Sequence, residues 1–115
     1  MHKDIVMEIA YQTARKFGRA DADFAAKMSR RLRRKFELKV SKDEILELAL
    51  RFSEIYRFAT ARLMDCIRPS ADGYARSSNV DDEKYLALLV EKFPEEPPDI
   101  LSTISGWVVF YDYLH

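Results

Sequence analysis

Glycine and proline together account for only seven of the 115 residues. That scarcity, beside 48% apolar and 33% charged residues, excludes a disordered chain and describes a folded, helix-rich one. A single cysteine, Cys66, excludes an internal disulfide and points to a reducing compartment. No apolar run approaches the roughly 20 residues that a membrane-spanning helix needs. The opening Met1-His2-Lys3-Asp4 carries no signal-peptide apolar stretch, so a cytoplasmic address is expected. Three glycines, at 18, 73 and 106, supply neither a P-loop nor a dinucleotide fingerprint. The two histidines, His2 and His115, sit one residue from or at the ends of the sequence, and neither lies near Cys66. Nucleophilic catalysis needs a nucleophile with a base in reach, and nothing in this sequence announces that pairing. No Cys/His pair has zinc-ligand spacing. The chain is therefore expected to be a non-enzyme with no cofactor and no metal.

What is present is helical periodicity. A length of 115 residues suits one domain, 1–115, able to bury a core without a staple. The expected fold is all-α, a bundle of four to five helices around a long central helix at about 42–67. The first helix is predicted over 4–17, with Val6, Ile9, Ala10, Thr13 and Phe17 on one face and Gly18 as the positive-φ residue after its end. The second runs over 22–36 from an Asp21 cap, with Phe24, Met28, Leu32 and Phe36 as its apolar stripe. Residues 37–40 read either as its fraying end or as a short extended link.

The third helix carries the strongest start signal. Ser41-x-x-Glu44 is a capping box, and Val40 with Ile45 forms the matching hydrophobic staple. Its apolar arc runs through Phe52, Ile55, Tyr56, Ala59 and Cys66, and Pro69 ends it near Ile67. At about 1.5 Å per residue such a helix would span roughly 39 Å. Residues 68–79 are a loop by composition, a flexible connector or a functional one. A fourth helix is expected from Asp81 or Asp82 to Phe93, burying Tyr85, Leu86, Leu89, Val90 and Phe93. Residues 99–115 suit a helix, while Trp107-Val108-Val109-Phe110-Tyr111 has a strand's composition. A lone strand would find no partner in the chain, which favours helix.

Charge is zero overall but unevenly placed. Eleven Lys/Arg face three acids between Arg15 and Lys42, a local charge of +8, whereas eight acids face two lysines from Asp81 onward, a local charge of −6. Lys27, Arg30, Arg31 and Arg34 fall along one flank of the second helix. They are candidate phosphate contacts, with Arg33 and Lys35 beside them. The plainer account is a solvated basic face pairing with the acidic third of the chain. Acidic clusters at 81–83 and 95–99 would attract a divalent cation, although acids at helix starts have a sufficient reason in the helix dipole. Ala14-x-x-x-Gly18, with Phe17 and Phe24 at apolar positions, resembles part of the helix-turn-helix pattern. Arg19 and Lys27 stand where that pattern has apolar residues. The resemblance implies that 22–36 would be a recognition helix in a major groove.

The other distinctive surface is aromatic. Trp107, Phe110, Tyr111 and Tyr113 crowd the last nine residues, and a helix there would be apolar nearly all round. The expected function is accordingly a non-enzymatic protein–protein interaction or regulatory module, with these four residues as its interface and a homodimer as one form of it. The alternative is a small DNA- or RNA-binding protein using the helix at about 22–36. Neither a membrane nor a small-molecule ligand is indicated as a partner.

Overall fold

The computed structural model describes residues 2–114. It is all-α: five α-helices and no β-sheet occur among the described residues, with one isolated antiparallel bridge. Packing within the chain forms two compact units, Met1–Glu54 and Ile55–His115. The helices are α1 (Lys3–Arg15), α2 (Ala22–Phe36), α3 (Lys42–Arg62), α4 (Asp82–Lys92) and α5 (Pro98–Val108). None is long and apolar enough to cross a membrane.

In the first unit, α1 buries Ile5, Ile9, Ala10, Thr13 and Ala14. Its end is a Schellman turn: the Gly18 amide donates to the Thr13 carbonyl at 3.0 Å and the Phe17 amide to Ala14 at 2.9 Å. The helix therefore stops at Arg15, two residues before the expected end. Gly18 has the expected positive φ of 79°, but the left-handed stretch begins earlier, at Phe17 with φ 53°. That reversal swings Phe17 off the apolar face, and it is 64% exposed instead of buried. The Ser53 hydroxyl of α3 donates to the Gly18 carbonyl, tying the turn down.

Helix α2 matches its expected bounds. Asp21 caps it by accepting from the Phe24 amide at 2.9 Å, a bond that holds the Asp21 carboxyl below its ordinary range. Phe24, Ala25, Met28 and Leu32 are buried, and Phe36 is half-buried. Glu37 ends the helix in the left-handed conformation (φ 56°), so 37–40 is a link and not a frayed last turn. Ser41 then caps α3, its hydroxyl accepting from the Glu44 amide at 3.1 Å, with Val40 and Ile45 both buried.

In the second unit, α3 buries Ile55, Tyr56 and Ala59, then tightens into a 3-10 turn over Leu63–Cys66. Regular α-helix covers 21 residues, and with the 3-10 turn the helical segment runs to Cys66, 25 residues in all and close to the expected 42–67. At Ile67, where the helix was expected to end, the chain turns extended and pairs with Val80: the Arg68 amide donates to Asn79 and the Asp81 amide to Cys66, both at 2.7 Å. The intervening loop is exposed but internally bonded. Arg76 grips Asp72 through both guanidinium nitrogens, and Ser70 and the Tyr74 amide also donate to that carboxylate. These bonds, Arg76's foremost, hold Asp72 far below the usual carboxylate range.

Asp81 caps α4, which buries Tyr85 and Leu89, with Phe93 following. Leu86 is half-buried and Val90 is exposed, because at 100° per residue Val90 lies beyond the edge of that stripe. The Tyr85 hydroxyl donates to the Ala59 carbonyl. Pro98 begins α5, and the described part of the 99–115 segment is helical through Tyr113, with no strand. It buries Ile100, Leu101, Ile104 and Val108, then widens into a π-turn over Val109–Tyr113 closed by the Leu114 amide on Val109 at 3.0 Å. Leu114 itself is partly exposed.

Candidate functional site

The first unit contains a cleft of about 450 Å³. The Schellman turn makes it: it stops α1 and carries the chain back so that Lys16 and Arg19 come alongside the basic flank of α2. Lys27, Arg30, Arg31 and Arg34, the four residues expected to act together, all line this one hollow. Phe24 and Met28 supply its apolar part, with Gln12 beside them. Six cationic side chains thus face two carboxylates, Asp21 and Asp23.

Those cations divide into two sets. Arg19 pairs with Asp21 and Lys27 with Asp23, both at 3.1 Å, and all four groups are well exposed. Arg31 Nε lies 2.7 Å from Glu8, and Lys35 Nζ reaches the second oxygen of the same carboxylate at 3.0 Å. Gln12 Nε2 donates to it as well, at 3.2 Å. Burial alone would raise the Glu8 carboxyl, but the bonds from Arg31, Lys35 and Gln12 outweigh it and hold Glu8 below its ordinary value. The α2 cations that are paired therefore find their acids at Glu8 and Asp23, within the first unit. Lys16, Arg30 and Arg34 have no ion-pair partner among the described residues.

Lys16 and Arg19 belong to this site and were missed as site residues in the sequence. The run Arg15-Lys16…Arg19 just before the Asp21 cap was the available signal, but its use required knowing how α1 ends. The helix-turn-helix resemblance weakens here. Six residues, 16–21, separate α1 from α2 where that motif has a turn of about three or four, and Phe17 is exposed where the pattern wants it buried.

The aromatic residues of the second unit are brought together in part. Trp107 stacks on Tyr111 at 5.7 Å and 24°, and Phe110 meets both rings edge-on at 5.9 and 5.2 Å. Phe110 is exposed. Tyr113 takes a separate role, its hydroxyl accepting from Asn79 at 3.1 Å. Between them, Asp112 accepts from Tyr56 at 2.8 Å and Thr60 at 3.0 Å, which pins the π-turn to α3. Burial and the Asp112 carboxylate push the Tyr56 hydroxyl well above its ordinary pKa.

Of the other groups considered, Cys66 is buried as a small hydrophobe, and burial pushes its thiol up. His2 caps α1 by accepting from the Asp4 amide at 3.1 Å, and His115 lies outside the described residues. Among the described residues no three His, Cys, Asp or Glu side chains gather where they could hold a metal ion. Comparison of the chain with protein-family models, curated proteins and solved structures finds no match.

Proposed function

We propose that this chain is a non-enzymatic nucleic-acid-binding protein that holds a phosphate backbone in the cleft between the end of α1 and the flank of α2. The observation that carries this reading is the set Lys16, Arg30 and Arg34, three cations on one concave surface without an ion-pair partner among the described residues. Exposed ion pairs contribute only about 0–1 kcal/mol each, so Asp21 and Asp23 release Arg19 and Lys27 to a phosphate at small cost. A cytoplasmic location fits the lone, buried cysteine.

The test is salt. Each phosphate neutralised on a single strand contributes roughly 0.7 to the slope of log affinity against log salt. Three contacts predict about a twentyfold loss between 50 and 200 mM. Reversing Arg30 and Arg34 to Glu together should abolish binding. Affinity that ignores salt, or survives that reversal, sinks the reading.

A second reading, a protein-interaction module that self-associates through α5 and the π-turn, draws support from exposed Phe110 beside the stacked Trp107 and Tyr111. Sedimentation at high micromolar concentration tests it. A dimer that Trp107→Ala or Phe110→Ala dissociates supports it, and a monomeric wild type refutes it.

A further inference from the structure

We infer that the α1–α2 cleft selects single-stranded nucleic acid over duplex, taking an unstacked base into the hollow while the flanking phosphates lie on Lys16, Arg30 and Arg34. This rests on the phosphate-binding reading above and goes further, because charge alone would not distinguish the two forms. Three features of the cleft make the distinction.

The first is its shape. Reading a duplex calls for a convex element, a helix or ribbon that enters a major groove about 12 Å wide. Here cations of α2 and of the α1 end line one concave hollow. The second is its size. About 450 Å³ falls within the roughly 300–1,000 Å³ of sites that enclose a small organic ligand. One nucleoside fits that space, whereas a base pair locked in a stack cannot enter it. The third is its lining. A pocket made only for phosphate would be polar throughout, but this one is floored by the edges of the buried Phe24 and Met28, 9% and 3% exposed, and most of the apolar surface it offers a base comes from the alkyl stems of its lysines and arginines. Apolar and guanidinium surfaces of this kind receive splayed bases, and every base offers a π-face to them.

The arrangement also explains why the unpaired cations come from two elements. Lys16 belongs to the end of α1, and Arg30 and Arg34 lie one helical turn apart on α2. A strand laid across the hollow meets a cation on both sides of the base it deposits there. Recognition of this kind is tolerant of sequence, since stacking and charge carry it in place of hydrogen-bond readout.

The experiment varies the ligand and leaves the protein core intact. Fluorescence anisotropy at 50 mM salt compares a mixed-sequence single strand of about 12 nucleotides, its blunt duplex, an abasic strand of equal length, and inorganic polyphosphate of matched charge. The base-bearing strand should bind about tenfold more tightly than the abasic strand, the duplex or polyphosphate, as expected for one stacked base. Arg30→Glu with Arg34→Glu should remove the binding of every ligand, which places it at this cleft. An abasic strand or polyphosphate that binds equally well overturns the base pocket while leaving the phosphate reading standing. A duplex that binds equally or more tightly overturns the strand preference. Absence of binding by all four ligands overturns both readings.

Discussion

Substituting Glu8 by Gln should move stability and polyanion affinity in opposite directions. The Glu8 side chain is only 11% exposed and accepts from Arg31 at 2.7 Å and Lys35 at 3.0 Å, whose side chains are 43% and 51% exposed. A hydrogen bond to a charged group is worth about 1.5–3 kcal/mol when both partners are shielded. With half-exposed cations each pair falls towards the surface range of about 0–1 kcal/mol. Two pairs on one carboxylate therefore predict a loss of about 1–2 kcal/mol at pH 7, seen as a fall in Tm of several degrees by calorimetry.

The pH dependence separates this from generic damage. The folded state holds Glu8 below its ordinary value, so its contribution is complete above the unfolded pKa of about 4.3 and is lost as pH falls through the folded one. The gap between wild type and Glu8→Gln should be constant from pH 6 to 8 and should close below the folded pKa. Meanwhile the variant has one acid fewer and leaves Arg31 uncommitted on the cleft, so affinity for a single strand should rise and its salt slope steepen by up to about 0.7. Equal stability at pH 7, or a deficit that persists unchanged in strong acid, would refute the electrostatic account. A fall in affinity would show instead that Glu8 acts by fixing Arg31 in place.

Three further outcomes are expected. Glu37→Gly should stabilise by about 0.5–1 kcal/mol in urea titration, because Glu37 holds φ 56° and glycine meets no Cβ penalty there, less its greater freedom when unfolded. A neutral or negative effect would mean that the Glu37 side chain contributes more than its backbone strain costs. Leu32→Ala, at a fully buried position on α2, should cost about 2–5 kcal/mol in the same assay, and a cost below 1 kcal/mol would contradict its place in the core. The Cys66 thiol, 2% exposed and pushed up by burial, should resist a thiol reagent in the native protein and react at once in denaturant, whereas rapid native labelling would contradict that burial.

What could be read from the sequence was local. The Asp21 and Ser41 caps act on amides three residues away, so the starts of α2 and α3 are decided by neighbours that the sequence displays. Helix ends were less legible because distant partners decide them. Pro69 placed the end of the third helix near Ile67, and helical turns do run to Cys66, but the tightening of the last four residues to 3-10, next to the pairing of Ile67 with Val80 13 residues on, had no local signal. Gly18 correctly signalled a left-handed turn. That Phe17 would share it followed from the two Schellman hydrogen bonds, which no composition rule reveals. The candidate site was half legible for the same reason. The flank of α2 is periodic in the sequence, but the contributions of Lys16 and Arg19 depend on that turn. Tyr113 was grouped with Trp107, Phe110 and Tyr111 by proximity in sequence, and its hydrogen bond with Asn79 gives it a different role.

The fold also changes the meaning of the basic segment. Read linearly, residues 15–42 carry a charge of +8, which suggests an undifferentiated attraction for any polyanion. Folding sorts those charges. Arg31 and Lys35 are committed to Glu8, an acid outside the segment, while Arg19 and Lys27 are loosely held by exposed aspartates. Lys16, Arg30 and Arg34 alone combine a place on the cleft with the absence of an ion-pair partner among the described residues. If charge density alone governed binding, neutralising Arg33, which does not line the cleft, would weaken it as much as neutralising Arg34. If the cleft governs binding, Arg34→Ala costs affinity and Arg33→Ala does not. The choice between a sticky helix and a built site therefore rests on two adjacent arginines with identical charge and different positions around α2.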